Sequence, residues 1–339
     1  PPGGLSELHR RASEPPEGVR RALATSCGDT LVLGAGGKMG FHLSLMLRRA
    51  FDSISENVTV TAVSRFSEPG GRAAFESNGI KTIASDLRDD AQLHALPDAT
   101  NVFFLAGVKF GTSESPEILR EFNVSMPQVV ARRFAASRTV VLSTGCVYPF
   151  VAPASGGCTE ASPAVPPGRY AESCLGREDA FRQASAESGT PVALIRLNYA
   201  VDLRYGVLVD IAMNILAGQP VNLTTGFVNV IWQGDALSYI VQALGLASSP
   251  PTVLNVTGEK VLNVREVAEI LGELMERPVE TTGAESPTAW LNDASQAHRL
   301  FGKPSVPEEM LIRWVADWVS AGRPTLGKPT RFEVRDGRF

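Results

Sequence analysis

The chain has 339 residues, 44% of them hydrophobic and 20% charged, with a formal charge of −4. That length builds one large domain or two smaller ones with ample core, and neither composition nor charge suits a disordered chain or a nucleic-acid footprint. The longest apolar runs, such as Val192–Ile195, break far short of a membrane span, and the Pro1-Pro2 start lacks a signal-peptide layout. Four scattered cysteines and four histidines form neither a C-x-x-C nor a ligand pair, so we expect a cytoplasmic protein with no metal site and no disulfide framework.

Residues 1–28 mix Pro, Glu and Arg, hold one helical segment at Glu17–Ala24, and read as a surface extension. Next comes an apolar strand, Thr30–Leu33, that breaks into Gly34-Ala35-Gly36-Gly37-Lys38-Met39-Gly40 and resumes as helical His42–Arg49. The spacing G-x-G-x-x-G fails because Met39 takes the third position, while Gly34, Gly37 and Gly40 satisfy G-x-x-G-x-x-G. Either spacing lets backbone N–H groups at a helix N-terminus approach a pyrophosphate with no Cβ in the way. A glycine-rich turn without ligand meets the same pattern, and the strand before and helix after favour the ligand reading.

Val58–Val63, Lys81–Ala84, Asn101–Leu105, Thr139–Leu142 and Val192–Leu197 read as buried parallel strands. Between them lie helical segments, including a long helix over 115–136 in spite of Pro127. The alternation predicts a doubly wound α/β sheet of right-handed βαβ units, with ligands at the strand C-terminal ends. Residues 149–168 form a loop rich in Pro, Ala, Ser and Gly. Beyond Asn198 the pattern turns irregular, with a helix over 206–216, a strand over 228–232 and a helix over 235–246. Amphipathic helices follow at Val264–Leu274 and Glu308–Val319, and the end of the chain is extended. The organisation expected is therefore an extension (1–28), a dinucleotide-binding domain (29–198), a mainly substrate-binding lobe that returns in part to the core (199–322), and a tail (323–339).

At the end of the second strand an NAD-selective enzyme places a carboxylate on the ribose hydroxyls; here stand Ser64 and Arg65. A guanidinium and a hydroxyl receive a 2′-phosphate, so NADP is slightly favoured and NAD is not excluded, although an Arg that only solvates a turn fits as well. Asp86-Leu87 follows the third strand and Leu105-Ala106-Gly107-Val108-Lys109 the fourth. A rim Asp accepts a hydrogen bond from an adenine amino group, or simply forms a turn. Ser143 and Thr144 either reach a ligand or cap the next turn. Arg196 anchors an anion or pairs internally, Asn198 holds a polar substrate or a turn, and Trp232 stacks on a sugar ring or fills a core.

Taken together, the Gly34/Gly37/Gly40 turn, Asp86-Leu87, Leu105–Lys109, Asn123, Ser143–Tyr148, Tyr170, Arg196–Asn198 and Asp235 resemble the extended short-chain dehydrogenase/reductase superfamily, in particular the NAD-dependent epimerase/dehydratase family, over about residues 30–318. The resemblance implies a Rossmann-type sheet with a smaller C-terminal lobe, an NAD(P) cofactor, a carbohydrate or sugar-acid substrate and a homodimer formed through helices flanking the site. It implies cofactor contacts from the glycine turn with Lys38 and Met39, from Asp86, Leu87 and the Leu105–Lys109 segment, and from Asn123, Ser143 and Tyr170. Thr144 becomes the hydroxyl partner of the reacting oxygen and Tyr170 the proton carrier. Lys109, Gly145, Cys146, Asn198, Arg204 and Trp232 are the expected substrate neighbours.

Two departures stand out. Where the family reads Tyr-x-x-x-Lys, this chain reads Tyr170-Ala-Glu-Ser-Cys174, and where sugar-nucleotide enzymes carry an Arg it reads Val228 ahead of Gln233-Gly234-Asp235. Weak binding of UDP, GDP and TDP is therefore expected, and Arg204 is the nearest substitute for a clamp, a holder of a carboxylate, or a solvated loop residue. A hydride leaves a carbinol carbon only as the hydroxyl proton is taken, and a tyrosine titrating near about 10 needs a neighbouring cation to serve as that base. A unit charge about 4 Å away in an effective dielectric near 20 is worth on the order of 4 kcal/mol, or roughly three pKa units. Cys174 supplies no charge: it is a small buried apolar residue or a thiol in a proton path. Arg177, Lys109 and the oxidised nicotinamide remain as candidate cations, with Arg177 roughly 10.5 Å from Tyr170 along the helix axis. A simple reductase, and a redox sensor that has lost catalysis, are the alternatives to an epimerase or dehydratase.

Overall fold

A computed structural model of the chain describes residues 1–54, 57–67, 70–109 and 115–335. Its centre is a seven-stranded parallel sheet: β1 (Thr30–Leu33), β2 (Val60–Ser64), β3 (Lys81–Ala84), β4 (Asn101–Phe104), β5 (Arg138–Thr144), β6 (Val192–Leu197) and β7 (Thr252–Val256). The spatial order is β7-β6-β5-β4-β1-β2-β3. β1 pairs on one side with β2 (Val32↔Ala62) and on the other with β4 (Val32↔Phe103), so the chain reverses direction across the sheet at β1. In such sheets the crevice at that reversal, above the strand C-termini, takes the ligand.

Both faces of the sheet are covered, which explains the nearly unbroken apolar runs of β1 and β4. Val32, Phe103, Val140, Ile195 and Leu254 pack into the core of one face. Their neighbours Leu31, Leu33, Val102, Phe104, Val141 and Leu194 pack into the other. A third core, in the second lobe, gathers Trp232, Trp314 and Trp318 among the helices Val207–Leu216, Val264–Met275 and Glu308–Ser320. Among the described residues, no helix is long and apolar enough to cross a membrane.

Four features depart from the sequence reading. The first 28 residues are no loose extension. Helices Leu5–Ala12 and Glu17–Thr25 dock on the sheet's helical layer and bury Leu8, Ala12, Val19 and Leu23 completely. The expected long helix is Pro116–Arg120, a π-helical turn Glu121–Ser125 and Met126–Arg133. Pro127 has no N–H for the Asn123 carbonyl and its ring crowds that carbonyl, and widening the preceding turn relieves both. The expected strand over 228–232 is two short pairings, Phe227–Val228 and Ile231–Trp232, parted by an inward-turned Asn229 whose amide donates to the Asn292 carbonyl at 2.6 Å. Finally, β7 carries Asn255 in mid-strand, which disguises it in sequence. That amide donates to the Cys158 and Asp293 carbonyls and accepts from the Tyr148 hydroxyl at 2.9 Å.

Candidate active site

Backbone shape makes the nucleotide end of the crevice. Gly34 has φ +85, and a Cβ added there would lie 2.6 Å from the Ala106 nitrogen, so only glycine lets β1 turn this close to the segment after β4. At Gly40 a Cβ would strike the Ala35 backbone, which packs flat against the first turn of the helix Gly40–Ser53. The result is a helix N-terminus facing the crevice with no side chain across it, the cradle that a pyrophosphate needs.

Beyond this turn a cavity of about 280 Å³ is lined by Gly36, Ser64, Arg65, Asp86, Leu87 and Gly107. Asp86 is gripped by Arg88 through bonds of 2.6 and 2.9 Å, and this guanidinium holds its carboxyl at about 2. Arg88 also bonds Glu121 at 3.1 Å and stacks 4.3 Å from the Phe122 ring centre. Arg65 stands 5.8 Å from the same ring, on the cavity wall.

The second cavity, about 290 Å³, starts at the glycine turn and runs toward the second lobe between Lys38, Lys109, Tyr199, Tyr205 and Gln233. The Lys38 ammonium sits 3.3 Å from the Tyr205 ring centre, and burial, with Lys109 and Lys328 nearby, pushes it down to about 8. Tyr199 has φ +40, a conformation costly for a residue with a Cβ and common where structure is strained around a site. Gln233 is fixed by the buried His42, whose Nδ1 lies 2.7 Å from its amide nitrogen. The C-terminal tail completes the wall: Thr330, held by its N–H and hydroxyl on Asp210 (2.7 and 2.5 Å), lines this cavity.

Tyr170 opens the helix Arg169–Ser188 next to Cys146, Ala171, Trp290 and Phe150. Its hydroxyl shares a hydrogen bond with the Cys174 thiol one turn on, and burial pushes both groups well toward their protonated forms. The Lys109 ammonium stands 5.5 Å from the Tyr170 ring centre. Thr144 accepts a bond from the Cys146 N–H at 3.2 Å, so its oxygen caps the turn while its proton stays available. Behind them lies a buried clasp. Glu178 accepts two bonds from Arg196 (2.9 and 2.7 Å) and one from Ser143 (2.6 Å), tying the Tyr170 helix to β5 and β6.

The glycine turn with Lys38 and Met39, Ser64, Arg65, Asp86, Leu87, Leu105, Ala106, Gly107 and Lys109 all line these two cavities. Tyr170, Cys174 and Cys146 form one cluster beside Lys109. The remaining expected site residues are placed elsewhere. Trp232 is 3% exposed and packs edge-on against Trp314, 5.6 Å between ring centres. Asn198 spends its amide on Asn229 and the Trp290 carbonyl, Arg204 is locked on Asp202 at 2.6 Å, and Ser143 serves the Glu178 clasp. Asn123 is a staple, bonding both the N–H and the carbonyl of Val108. Gly145 abuts the Asn292 side chain, where a Cβ would not fit. The polar groups among these found a protein partner once buried, which sequence spacing does not reveal. Missed residues are Arg88, Tyr199, Tyr205, Gln233 and Thr330. The one sequence signal for Tyr199 and Tyr205 is that each directly follows a residue read as a site candidate, Asn198 and Arg204.

A turn whose glycines leave no room for a Cβ, a carboxylate and a guanidinium at its far end and lysines along its near end fit a dinucleotide. The fold has close counterparts among solved structures. A variant of the UDP-glucuronic acid 4-epimerase of Bacillus cereus, in complex with UDP-4-deoxy-4-fluoro-glucuronic acid and NAD, superposes with a TM-score of 0.71 at 18% identity, covering 86% of this chain and 99% of that one. A double mutant of DesIV, the dTDP-glucose 4,6-dehydratase of Streptomyces venezuelae, superposes with 0.71 at 21% identity, covering 86% and 96%. The UDP-glucose 4-epimerase of Thermus thermophilus, in complex with NAD, gives 0.68 at 21% identity, covering 85% and 98%. These likenesses carry the fold alone. No curated protein matches the chain by sequence. The sequence itself, however, matches the NAD dependent epimerase/dehydratase family over residues 30–226, more than half its length. The chain therefore belongs to the NAD-dependent epimerase/dehydratase family, enzymes of the extended short-chain dehydrogenase/reductase type.

Proposed function

We propose that the protein binds NAD(P) along the glycine turn and acts on a carbohydrate or sugar-acid substrate by reversible hydride transfer, with Tyr170 carrying the proton. The supporting observation is that one continuous cavity joins the glycine turn to Lys109, whose ammonium stands over the Tyr170 ring. When bound, the nicotinamide supplies a hydride acceptor and donor. The chain's residues do the rest. Gly34 to Gly40 receive the pyrophosphate on backbone N–H groups, and Arg65 with Ser64 favours a 2′-phosphate, hence NADP. Thr144 offers its hydroxyl proton to the reacting oxygen, and Tyr170 takes or returns that oxygen's proton. A cavity of about 290 Å³, with no Arg at Val228 and with Arg204 committed to Asp202, suits a smaller sugar better than a nucleotide sugar. Homodimerisation through the helices Met126–Arg133 and Arg169–Ser188 completes this reading, with light scattering as its check.

Burial of the phenol supports a second reading. A Tyr170 that stays protonated at neutral pH is poised to donate, as a reductase that releases its cofactor each turnover requires. The test is to denature the purified protein and identify any released nucleotide, then to screen sugars and sugar acids for reduction of added NAD(P). Retained nucleotide supports the epimerase/dehydratase reading and its absence the reductase; failure to bind either nucleotide overturns both.

A further inference from the structure

We infer that Lys109 is the positioning cation for Tyr170, so that the ammonium missing from the helix at Cys174 is supplied from the segment after β4. The inference rests on the reading of Tyr170 as proton carrier, and it deepens that reading by assigning the charge that a tyrosine base requires.

Cys174 cannot act in this way. It has no exposed surface, shares a hydrogen bond with the phenol and is neutral or negative in every protonation state. Arg177 is the obvious alternative, since it lies on the same helix and is 7% exposed. Its terminal nitrogens, however, are spent on the Leu142 carbonyl (2.9 Å) and on Asn123 Oδ1 (2.6 Å), and Gly107 packs directly on its guanidinium. It supports the floor of the 107–109 segment with both terminal nitrogens held elsewhere, and it acts on the phenol through its charge from beneath. Lys109 does face it, from the cavity that begins at the glycine turn.

The geometry between the two is held by a single side chain. Asn123 accepts from the Val108 N–H at 3.0 Å and donates to the Val108 carbonyl at 2.9 Å, fixing the residue before Lys109. The same amide donates to Ser173 Oγ at 2.9 Å, on the helix that carries Tyr170. Asn123 therefore ties the lysine's segment to the tyrosine's helix, and Arg177 holds Asn123 in turn. The π-helical turn Glu121–Ser125 points this amide inward.

Other groups face the pair as well. Burial, Cys174 on the same helix and Cys146 from the turn after β5 disfavour the phenolate, and Arg177 on the same helix favours it. Glu333 of the tail and Asp210 of the helix Val207–Leu216 favour a charged Lys109 against its burial, while Lys109 and Lys38 repel each other. An ammonium over the ring stabilises the phenolate more than the phenol, so it lowers the phenol's proton affinity.

The experiment reads the phenol directly. Fluorotyrosine incorporated at position 170 of the full chain brings the titration into a pH range the fold survives, and its phenolate absorbance is followed with and without NAD. Lys109→Met should raise the midpoint by about two pH units, the effect of a unit charge roughly 6 Å away in an effective dielectric near 20. Lys109→Arg should move it less, and Cys174→Lys placed in the Lys109→Met background should bring it back. Should Lys109→Met fail to fold, as judged by circular dichroism, Lys109→Gln takes its place. A midpoint unmoved by loss of Lys109, or moved further by Arg177→Met, overturns the inference. That result leaves the Tyr170 reading standing, whereas full turnover in Tyr170→Phe removes that reading without altering the measured shift.

Discussion

The two ends of the crevice are built from different material. At the nucleotide end the decisive feature is backbone: one strand and turn over residues 30–40, with glycines where a Cβ would collide. At the end proposed here as the reacting end the decisive features are side chains drawn from separate segments: Lys109 after β4, Cys146 after β5, Tyr170 and Cys174 on a helix, Tyr199 after β6 and Thr330 from the tail. The first end is a local shape that a short stretch of sequence specifies. The second is assembled by the fold, so a group that one element lacks, such as the cation proposed for Tyr170, can come from another element. The reacting end is accordingly the one expected to differ in chemistry while the nucleotide end keeps its form.

The largest expected effect separates the two ends. Tyr170→Phe should lower hydride transfer by about a thousandfold, roughly 4 kcal/mol of barrier, with nucleotide affinity nearly unchanged. Parallel kinetic and calorimetric measurements check this, and equal losses in both would mean that the phenol belongs to the nucleotide site. Next comes the clasp behind the reacting end. Glu178 is fully buried with Arg196 and Ser143, so Glu178→Gln leaves a buried guanidinium uncompensated and should cost roughly 3 kcal/mol of stability in denaturant unfolding.

The link between the ends should respond to pH. His42, in the first turn of the helix after the glycines, bonds Gln233 on the cavity wall and lies 2.7 Å from His9 of the N-terminal helix. Burial lowers its pKa to about 3, against the attraction of Asp202. The unfolded chain, with a histidine near 6.5, then binds a proton that the folded chain refuses. The stability contribution is fully present above about 6.5 and is lost as pH falls toward 3, amounting to about 2 kcal/mol between pH 6.5 and 5. Thermal unfolding across that range should show the decline, and His42→Gln should flatten it. The smallest effect sharpens the nucleotide end alone: Arg65→Ala should weaken NADP(H) about tenfold and leave NAD(H) unchanged in calorimetric titration. Equal loss for both nucleotides would assign Arg65 to the turn and not to a 2′-phosphate.

By itself, the sequence determined the parallel sheet and the glycine turn, because each rests on residues adjacent in the chain or on one repeating period. Strands buried on both faces announce themselves as apolar runs, and a turn that admits no Cβ announces itself as glycines. Tertiary structure alone decided which polar residues remain available. Asn198, Arg204, Ser143 and Asn123 look like ligand contacts in sequence, and each is consumed by a partner 2 to 92 residues away. A buried polar group must find such a partner, and nothing in local spacing says which one. The same reason hid Thr330 and Gln233, brought to the cavity by a tail and a helix far from the glycine turn, and it left Lys109 and Arg177 indistinguishable until the fold set the Lys109 ammonium over the Tyr170 ring and the Arg177 guanidinium on Leu142 and Asn123.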